Sequence, residues 1–326
     1  MKETMFLGID VGSVSTNLVL IDQAGNLIDK TYLRTKGQPI ATVQTGLAQL
    51  NEKWHNTVEI AGAGTTGSAR HLVSILVGAD IVKNEITAHA IAASELVPGV
   101  QTVLEIGGQD SKLIILRDGI VTDFAMNTVC AAGTGSFLDQ QAGRLGLPIE
   151  EFGNLALKAQ NPVRIAGRCT VFAESDMIHK QQMGHGLEEI IAGLCQALVR
   201  NFLSNLGKGK EILGPIVFQG GVAANAGIRD AFTKALGTEV IVPEHYDVMG
   251  AIGMAVLARE EWLKGKNTSF KGFDCAHYAF RQSGFECQDC PNSCEVIQIK
   301  QDQAIIARWG DRCGKWSNLK AVGTGA

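Results

Sequence analysis

The chain has 326 residues, of which 45 % are apolar and 19 % are charged, and its formal net charge is −4. This composition is typical of a folded globular protein with room for two lobes, and it excludes an intrinsically disordered chain. The small negative charge provides no attraction to nucleic acid or to an anionic membrane. The N-terminus lacks a signal-peptide pattern and no apolar run reaches the ~18 residues of a membrane span, so we expect a cytoplasmic protein without nucleic-acid or membrane partners.

The first third of the chain predicts a strand meander followed by mixed helices and strands. Residues 5–34 are expected to form three short strands, with a glycine turn after the first. We then expect a helix over 41–54, a strand over 58–63, and helices over 69–77 and 86–96.

The opening pattern then returns. Residues 102–127 again predict a strand, a glycine turn and two further strands. A spacing of about ninety-five residues is too long for a solenoid repeat and indicates two related lobes. Two independent hairpins are the alternative, but the two turns match in chemistry as well as in position.

The second half of the chain predicts more helices around two buried strands. A helix is expected from about Gly135, and an amphipathic helix over 187–202, in which Cys195 is interpreted as a small core residue. The strand GPIVFQGG, a helix, the strand TEVIVP and a final helix follow. After Lys266 the composition becomes polar and rich in cysteine.

Three glycine turns follow predicted strands, over residues 10–16, 106–110 and 219–222. Backbone N–H groups and small hydroxyl residues in such turns can cradle phosphate oxygens. Asp10 and Asp110 could reach a magnesium ion directly or through water, Lys112 could reach a phosphate, and the third turn could lie against adenosine. A single turn of this kind is usually a tight connection, whereas an ordered set of three is a stronger signal. The candidate nucleotide-binding residues of the three turns are Gly12, Ser13, Val14, Ser15, Thr16, Gly107, Gly108, Gln109, Lys112, Gly220, Gly221 and Val222.

Over about residues 4–262, the ordered turns resemble the nucleotide-binding superfamily of actin, sugar kinases, acetate kinase and the heat-shock chaperone ATPases. The resemblance implies an α/β fold of two actin-like lobes, each ribonuclease H-like, that binds ATP or ADP with Mg²⁺. Gly133 and Gly135 fall at the first inter-lobe connection of that superfamily and join the nucleotide-binding candidates, while 250–253 resembles the second connection. The implied division is lobe I over 1–96, lobe II over 97–249, a helix returning to lobe I over 250–266, and a Cys-rich extension over 267–326.

Cys130 and Cys169 are too far apart in sequence to form a local chelate. Cys130 precedes a predicted helix, whose N-terminus favours an anion such as a thiolate-ligated cluster. Two thiolates are half of the set that a 4Fe-4S cluster uses, and a two-fold axis would supply the other half. The alternatives to a cluster at Cys130 and Cys169 are two buried thiols or a zinc ion at the same site.

The stretches VCAAGTGSFLDQQA, AGRCTVFAESDMI, EIGGQDSK and FQGGVAANAG resemble the BadF/BadG/BcrA/BcrD-type ATPase family. This family includes the activator (component A) of 2-hydroxyacyl-CoA dehydratases, the ATPase subunits of benzoyl-CoA reductase and the reductase of double-cubane cluster proteins. The resemblance implies that Cys130 and Cys169 of two chains bind one 4Fe-4S cluster in a homodimer. It also implies that ATP hydrolysis drives a low-potential electron to a partner iron–sulfur enzyme, and that ferredoxin or flavodoxin reloads the cluster. The candidate catalytic residues are Asp10, Gln109, Asp110 and Glu174, the last of which could equally be a buried structural carboxylate.

Two other functions within the superfamily are considered, a small-molecule kinase and a non-redox ATP-binding regulator of the chaperone or actin type. No acceptor-hydroxyl base is evident for the kinase. The tail adds a separate motif, because Cys287, Cys290 and Cys294 have metal-ligand spacing and Cys313 could complete a tetrahedral set. Zinc, a second cluster, or reduced thiols in a compact docking module are all consistent with this motif, and the identity of the partner stays open.

Overall fold

Two five-stranded sheets form the centre of the molecule in the computed structural model, which describes residues 2–301 and 304–317. The strands of the first sheet are β1 (Glu3–Val11), β2 (Ser15–Ile21), β3 (Leu27–Arg34), β4 (Val58–Thr66) and β5 (Ile81–Val82). The strands of the second sheet are β6 (Thr102–Ile106), β7 (Ser111–Arg117), β8 (Ile120–Asn127), β9 (Ile216–Gln219) and β10 (Val240–Ile241).

Both sheets use the same topology. Their strand orders are β3-β2-β1-β4-β5 and β8-β7-β6-β9-β10. In each, the first three strands in sequence pair antiparallel, and the other two run parallel to the central strand. The repeated sequence pattern therefore corresponds to one arrangement used twice, and the prediction of a two-lobed actin-like α/β fold is confirmed.

Helices surround the sheets and separate them. They are α1 (Pro39–Trp54), α2 (Arg70–Val77), α3 (Glu85–Leu96), α4 (Gly135–Leu145), α5 (Ile149–Ala156), α6 (Thr170–Gln182), α7 (Leu187–Leu206), α8 (Ala226–Leu236) and α9 (Met249–Leu263). The buried side chains of α3 and α9 share one core with residues of both sheets, so these two helices form the layer between the lobes.

The helix α9 can occupy this layer because its small residues allow close backbone approach. Its residues from Met249 to Ala258 are all buried, so it has no polar face over that stretch. A Cβ on Gly8 would lie 1.9 Å from the carbonyl oxygen of Ala251, and a Cβ on Gly253 would lie 1.9 Å from that of Ala88. Glycine at both positions is therefore required for β1, α3 and α9 to pack at this distance.

Most predicted elements exist, with three additions. The amphipathic helix α7 extends to Leu206, and its residue Cys195 is fully buried. This burial, together with the charge of Asp230, raises the pKa of the Cys195 thiol to about 12. The interpretation of Cys195 as a core residue is confirmed. The short strand β5 and the helices α5 and α6 were not among the predicted elements. Glu150 and Glu151 in the first turn of α5 are the local signal that identifies this helix.

The tail begins on lobe I and then forms a separate small sheet. A short 3₁₀ helix over Phe273–His277 packs against α1, and Gln44 Nε2 donates to the carbonyl of Tyr278 over 2.8 Å. Cys275 in this segment is buried in the core of lobe I. The strands β11 (Phe280–Glu286), β12 (Glu295–Gln301) and β13 (Ala304–Trp309) then form an antiparallel sheet. Among the described residues, no helix is long and apolar enough to cross a membrane.

Candidate functional site: an inter-lobe cleft and a neighbouring cysteine pair

The three glycine turns meet in a cavity of about 580 Å³ between the lobes. They meet because β1, β6 and β9 all end at the side of their sheets that faces the cleft. A cavity of this size is suited to a nucleotide. The predicted residues that line it are Asp10, Gly12, Ser13, Val14, Ser15, Gly107, Gly108, Gln109, Asp110, Lys112, Gly135, Gly220, Gly221 and Val222.

Three of the predicted nucleotide-binding and catalytic residues do not line this cavity. Thr16 is buried in β2, where its hydroxyl lies 2.9 Å from that of Thr35. Gly133 is buried behind the second turn, where a Cβ would lie 2.8 Å from Asn201 Oδ1. Glu174, the third, lies on α6 and its carboxylate pairs with Arg144 of α4 at 3.0 Å. Glu174 therefore lies outside the cavity, half-buried and paired with Arg144, and its catalytic role stays a prediction.

The first two glycine turns have the same internal geometry and touch each other across the cleft. Gly12 N donates to the carbonyl of Ser15 over 2.9 Å, and Gly107 N donates to that of Asp110 over 3.0 Å. Ser13 Oγ donates to Gln109 Oε1 over 2.7 Å. The relative position of the two lobes at this end of the cleft is therefore set by direct contact between the turns.

A cluster of charged side chains forms the floor of the cavity beside these turns. The ammonium of Lys112 lies 2.9 Å from a carboxylate oxygen of each of Glu85, Glu105 and Asp110, and this side chain is only 2 % exposed. The three carboxylates raise the pKa of Lys112, although its burial acts in the opposite direction. Lys112 is therefore held as a cation within a ring of carboxylates, at the cavity wall.

Asp10 adds a fourth carboxylate to this floor. Burial, followed by the charge of Glu85, raises the pKa of Asp10 to about 7, and burial likewise raises the pKa of Glu105 to about 8. With four carboxylates and one ammonium, the floor carries an excess of negative charge that a divalent cation would reduce. Among residues 2–301 and 304–317, no three His, Cys, Asp or Glu side chains are grouped as a ready metal site.

Sequence reasoning missed Glu85 and Glu105. Glu105 occupies a buried strand in which every other residue is apolar or Thr, and this exception was the available signal. Glu85 is the first residue of α3 after its Asn84 cap, which is a common structural position for an acid, so its role depends on the fold.

The third turn also requires glycine. Gly220 has a φ of +87°, and a Cβ there would lie 2.5 Å from the carbonyl oxygen of Ile106. Beyond it, the side chain of Asn225 accepts a hydrogen bond from the backbone N–H of Ile228 and caps α8 over 3.1 Å. This turn therefore presents bare backbone and a helix N-terminus to the cavity.

Cys130 and Cys169 lie next to each other on the surface of lobe II, outside the cavity. Cys130 Sγ is 3.8 Å from the carbonyl oxygen of Arg168, the residue before Cys169. Asn127 holds the first cysteine, because its Oδ1 accepts from Cys130 N over 2.9 Å and its Nδ2 donates to Cys130 O over 2.8 Å. Both thiols are half-buried, and each stands at the start of a helical segment.

Exposed apolar side chains surround this cysteine pair. Val129 is 95 % exposed, and Val171 and Phe172 at the start of α6 are each 66 % exposed. Three large apolar side chains are thus exposed together beside two half-buried thiols. We call Val129, Cys130, Cys169, Val171 and Phe172 the cysteine face.

The helix that follows Cys130 starts on the second glycine turn. Gly135 N donates to the carbonyl of Gly107, and Ser136 N donates to that of Gly108, both over 2.9 Å. Ser136 Oγ donates to the same Gly108 carbonyl over 2.5 Å. Three hydrogen bonds therefore join the N-terminus of α4 to the second glycine turn.

The tail cysteines are distant from both regions. Cys287 is buried, Cys294 is half-buried, and Cys290 and Cys313 are exposed, all near one end of the β11–β13 sheet.

Comparison with known proteins extends these observations. Residues 7–258 match the BadF/BadG/BcrA/BcrD ATPase family. The chain is 34 % identical over 259 residues to the (R)-2-hydroxyglutaryl-CoA dehydratase activating ATPase of Acidaminococcus fermentans. This alignment covers 79 % of the present chain and 98 % of that protein.

Two solved structures are similar over the same region. The crystal structure of component A of the (R)-2-hydroxyglutaryl-CoA dehydratase of Acidaminococcus fermentans has a TM-score of 0.73 and 32 % identity, covering 79 % of this chain and 98 % of that one. The activator of the 2-hydroxyisocaproyl-CoA dehydratase from Clostridium difficile, with bound ADPNP, has a TM-score of 0.72 and 31 % identity, covering 80 % and 96 %.

Proposed function

We propose, from the premise that this chain belongs to the BadF/BadG/BcrA/BcrD ATPase family, that it is an ATP-dependent activator of a partner iron–sulfur enzyme. In this proposal Cys130 and Cys169 of two copies would hold one 4Fe-4S cluster, which would supply a one-electron carrier between ferredoxin or flavodoxin as donor and a partner enzyme of the 2-hydroxyacyl-CoA dehydratase or double-cubane type. The cleft would hydrolyse ATP with water to ADP and phosphate, and this hydrolysis would drive the transfer to the partner. The observation that carries the proposal is the cysteine face, where two adjacent thiols at helix starts are surrounded by exposed apolar side chains.

The cleft is proposed to bind ATP with Mg²⁺. A similar protein has been solved with bound ADPNP, and the cavity lies between three turns that present backbone N–H groups. The carboxylates of Asp10 and Asp110 border the cavity and are suited to Mg²⁺, which usually takes one or two protein carboxylates together with phosphate oxygens and water. Gln109 and Asp110 are the residues that we propose to orient the attacking water, whereas Glu174 is assigned a structural role.

The donor set at the cysteine face fits half of a cluster site. Each chain supplies two thiolates, and a two-fold axis through the cysteine face would bring four together. Cys169 is the N-cap of α6, and the N-terminus of this thirteen-residue helix carries partial positive charge, which favours an anionic group. When bound, the cluster supplies a one-electron carrier that the side chains of this chain lack.

The contact between α4 and the second turn supports coupling between the two regions. The carbonyls of Gly107 and Gly108 accept hydrogen bonds from the first residues of α4, and Arg144 of α4 pairs with Glu174 of α6. The two helices that follow the cysteines are therefore joined to each other and to the nucleotide turn. This is the kind of shared element through which two sites can affect each other.

Iron analysis of matched cysteine variants after anaerobic reconstitution tests the proposal. The wild-type dimer should contain about four iron ions per two chains. Cys130→Ser and Cys169→Ser should lose this iron and still bind ADPNP, because neither thiol lines the cavity. Cys195→Ala, in which a buried core thiol is removed, is the control that should keep its iron. Full iron content in Cys130→Ser, or a monomer that retains its cluster, would contradict the proposal.

A further inference from the structure

The four tail cysteines are brought to one end of the β11–β13 sheet by strand pairing. Glu286 of β11 pairs with Glu295 of β12, so Cys287 and Cys294 follow as the next opposed positions, and Cys287 N donates to the carbonyl of Cys294 over 2.8 Å. Cys290 lies in the loop between them. Because β13 runs antiparallel to β12, the chain leaves β13 at this same end and reaches Cys313 a few residues later.

The segment after β13 is held against the Cys287–Cys294 loop. The rings of Trp316 and Phe285 pack edge to face with centroids 5.0 Å apart. Trp316 Nε1 donates to Cys287 Sγ over 3.3 Å, and the ammonium of Lys315 pairs with Asp289 at 2.5 Å. The residues that follow Cys313 therefore contact the loop that carries the other three cysteines.

A turn holds Cys313 at this position. The carboxylate of Asp311 accepts from the backbone N–H of Trp316 over 2.8 Å and from that of Ser317 over 3.2 Å. On the other side, Gly310 approaches the start of β12 so closely that a Cβ would lie 2.3 Å from the carbonyl oxygen of Glu295. Cys313 is thus confined to a short bend between two points that contact the cysteine loop.

This small sheet lacks the core that would stabilise it alone. Among residues 280–301 and 304–317, the buried side chains are Cys287, Val296 and Ile299. In the part of the chain that the structure describes, no side-chain hydrogen bond or ion pair joins the three strands to either lobe. Burial of three side chains does not offset the entropy lost when a segment of this length is ordered, and small units of this kind usually depend on a disulfide or a metal.

We propose that Cys287, Cys290, Cys294 and Cys313 bind one structural zinc ion. Binding replaces four S–H bonds with four Zn–S bonds and releases four protons, without any change in oxidation state. The indole N–H donated to Cys287 Sγ and the nearby Lys315 ammonium are suited to the negative charge of such a site. In the described residues these thiols do not yet converge on one point, so zinc binding requires that the exposed side chains of Cys290 and Cys313 turn toward Cys287 and Cys294.

Zinc is favoured over the two other uses of these thiols. A disulfide is disfavoured because Cys287, Cys290, Cys294 and Cys313 are all free thiols in the structure. A 4Fe-4S cluster on the same four thiolates is the other use, and the iron content of the tail, measured below, distinguishes it from zinc. The inference is independent of the proposed activator function, since the family match ends at residue 258.

Metal analysis of the full-length chain, purified with a thiol reductant and supplied with zinc chloride, tests this inference. Wild-type protein should hold about one zinc ion per chain that resists gel filtration. Cys290→Ser and Cys313→Ser should each lower zinc at least about tenfold. Both residues are exposed, so neither substitution removes core packing. Cobalt in place of zinc should give the visible absorption of tetrahedral thiolate coordination in wild type and lose it in both variants.

Cys130→Ser is the matched control, because it should lose iron and keep zinc, which separates this site from the proposed cluster. Four results would overturn the inference. These are wild-type protein without zinc after loading, zinc retained in the Cys290→Ser/Cys313→Ser double variant, an intact mass showing a disulfide in the tail, and iron bound by the tail when Cys130 and Cys169 are both replaced.

Discussion

Asp10→Asn is expected to stabilise the protein without metal and nucleotide, although Asp10 is a proposed magnesium ligand. No side-chain hydrogen bond or ion pair of the described residues reaches its carboxylate, and burial with the neighbouring Glu85 raises its pKa from 3.8 to about 7. A carboxyl group whose pKa is raised by folding contributes stability below its unfolded pKa and loses it as the pH rises through the folded pKa. Ionised Asp10 is therefore unfavourable above pH 7, and asparagine removes this cost.

The magnitude follows from the size of the pKa change. If the whole change in the pKa of Asp10 acted on stability, ionised Asp10 would lower the free energy of unfolding by about 4 kcal/mol at pH 8. Because the carboxylate borders the cavity, water screens part of this effect, and we expect Asp10→Asn to raise the free energy of unfolding by about 2–3 kcal/mol at pH 8. At pH 5 the gain should be about 1 kcal/mol or less, since folded Asp10 is then protonated.

Urea unfolding of the cluster-free protein at pH 5 and pH 8, followed by circular dichroism, measures this difference. Asp139→Asn is the control, because Asp139 is an exposed carboxylate that lines the same cavity, and its substitution should change stability by less than about 0.5 kcal/mol at either pH. Mg²⁺ with ADP should reverse the order of stability, because it binds Asp10 only in the wild type. An Asp10→Asn variant no more stable than wild type at pH 8, or a gain that does not depend on pH, would refute the argument.

Three other substitutions test the magnesium–nucleotide site, its coupling to the cysteine face, and the role of the cysteine face as the interface. Gly250→Ala would place a Cβ 2.2 Å from Asp10 Oδ2, so calorimetry should show at least about a tenfold loss of Mg-ADPNP affinity, and unchanged affinity would contradict the assigned role of that carboxylate. Ser136→Ala removes the hydrogen bond from the Ser136 hydroxyl to the Gly108 carbonyl, which is worth about 1 kcal/mol. The factor by which ATP changes the rate of iron chelation should fall by up to about fivefold, while ATP affinity is retained. An undiminished factor would contradict coupling through the contact between α4 and the second turn. Val129→Asp should yield a monomer by sedimentation that binds ADPNP normally, whereas a stable dimer would show that the cysteine face is not the interface.

Much of the fold could be predicted because its signals are local. Glycine turns with small hydroxyl or acidic neighbours after apolar strands identified two lobes, and fourteen of the predicted nucleotide-binding and catalytic residues line one cavity. The domain boundaries and the roles of individual site residues remain predictions. The short strand β5 has only two residues, so it carries too little pattern to be recognised.

The charged floor of the cleft could not be predicted in the same way. Lys112 was expected to face a phosphate, and three carboxylates surround it because α3 brings Glu85 from lobe I to the strands that carry Glu105 and Asp110. Glu174 was a catalytic candidate, and the packing of α6 against lobe II instead pairs it with Arg144. Which charges meet depends on contacts between residues far apart in sequence.

The same distinction applies to the cysteines. The sequence alone determined that Cys130 precedes a helix, that Cys169 lies far along the chain, and that the tail cysteines have ligand spacing, since these are properties of neighbouring residues. Tertiary structure decided that Cys130 and Cys169 lie side by side, that Val129 and Phe172 are exposed around them, and that α4 starts on the second glycine turn. Long-range packing sets these distances, because the strands and helices that carry the residues are positioned by the shared core between the lobes and not by local sequence.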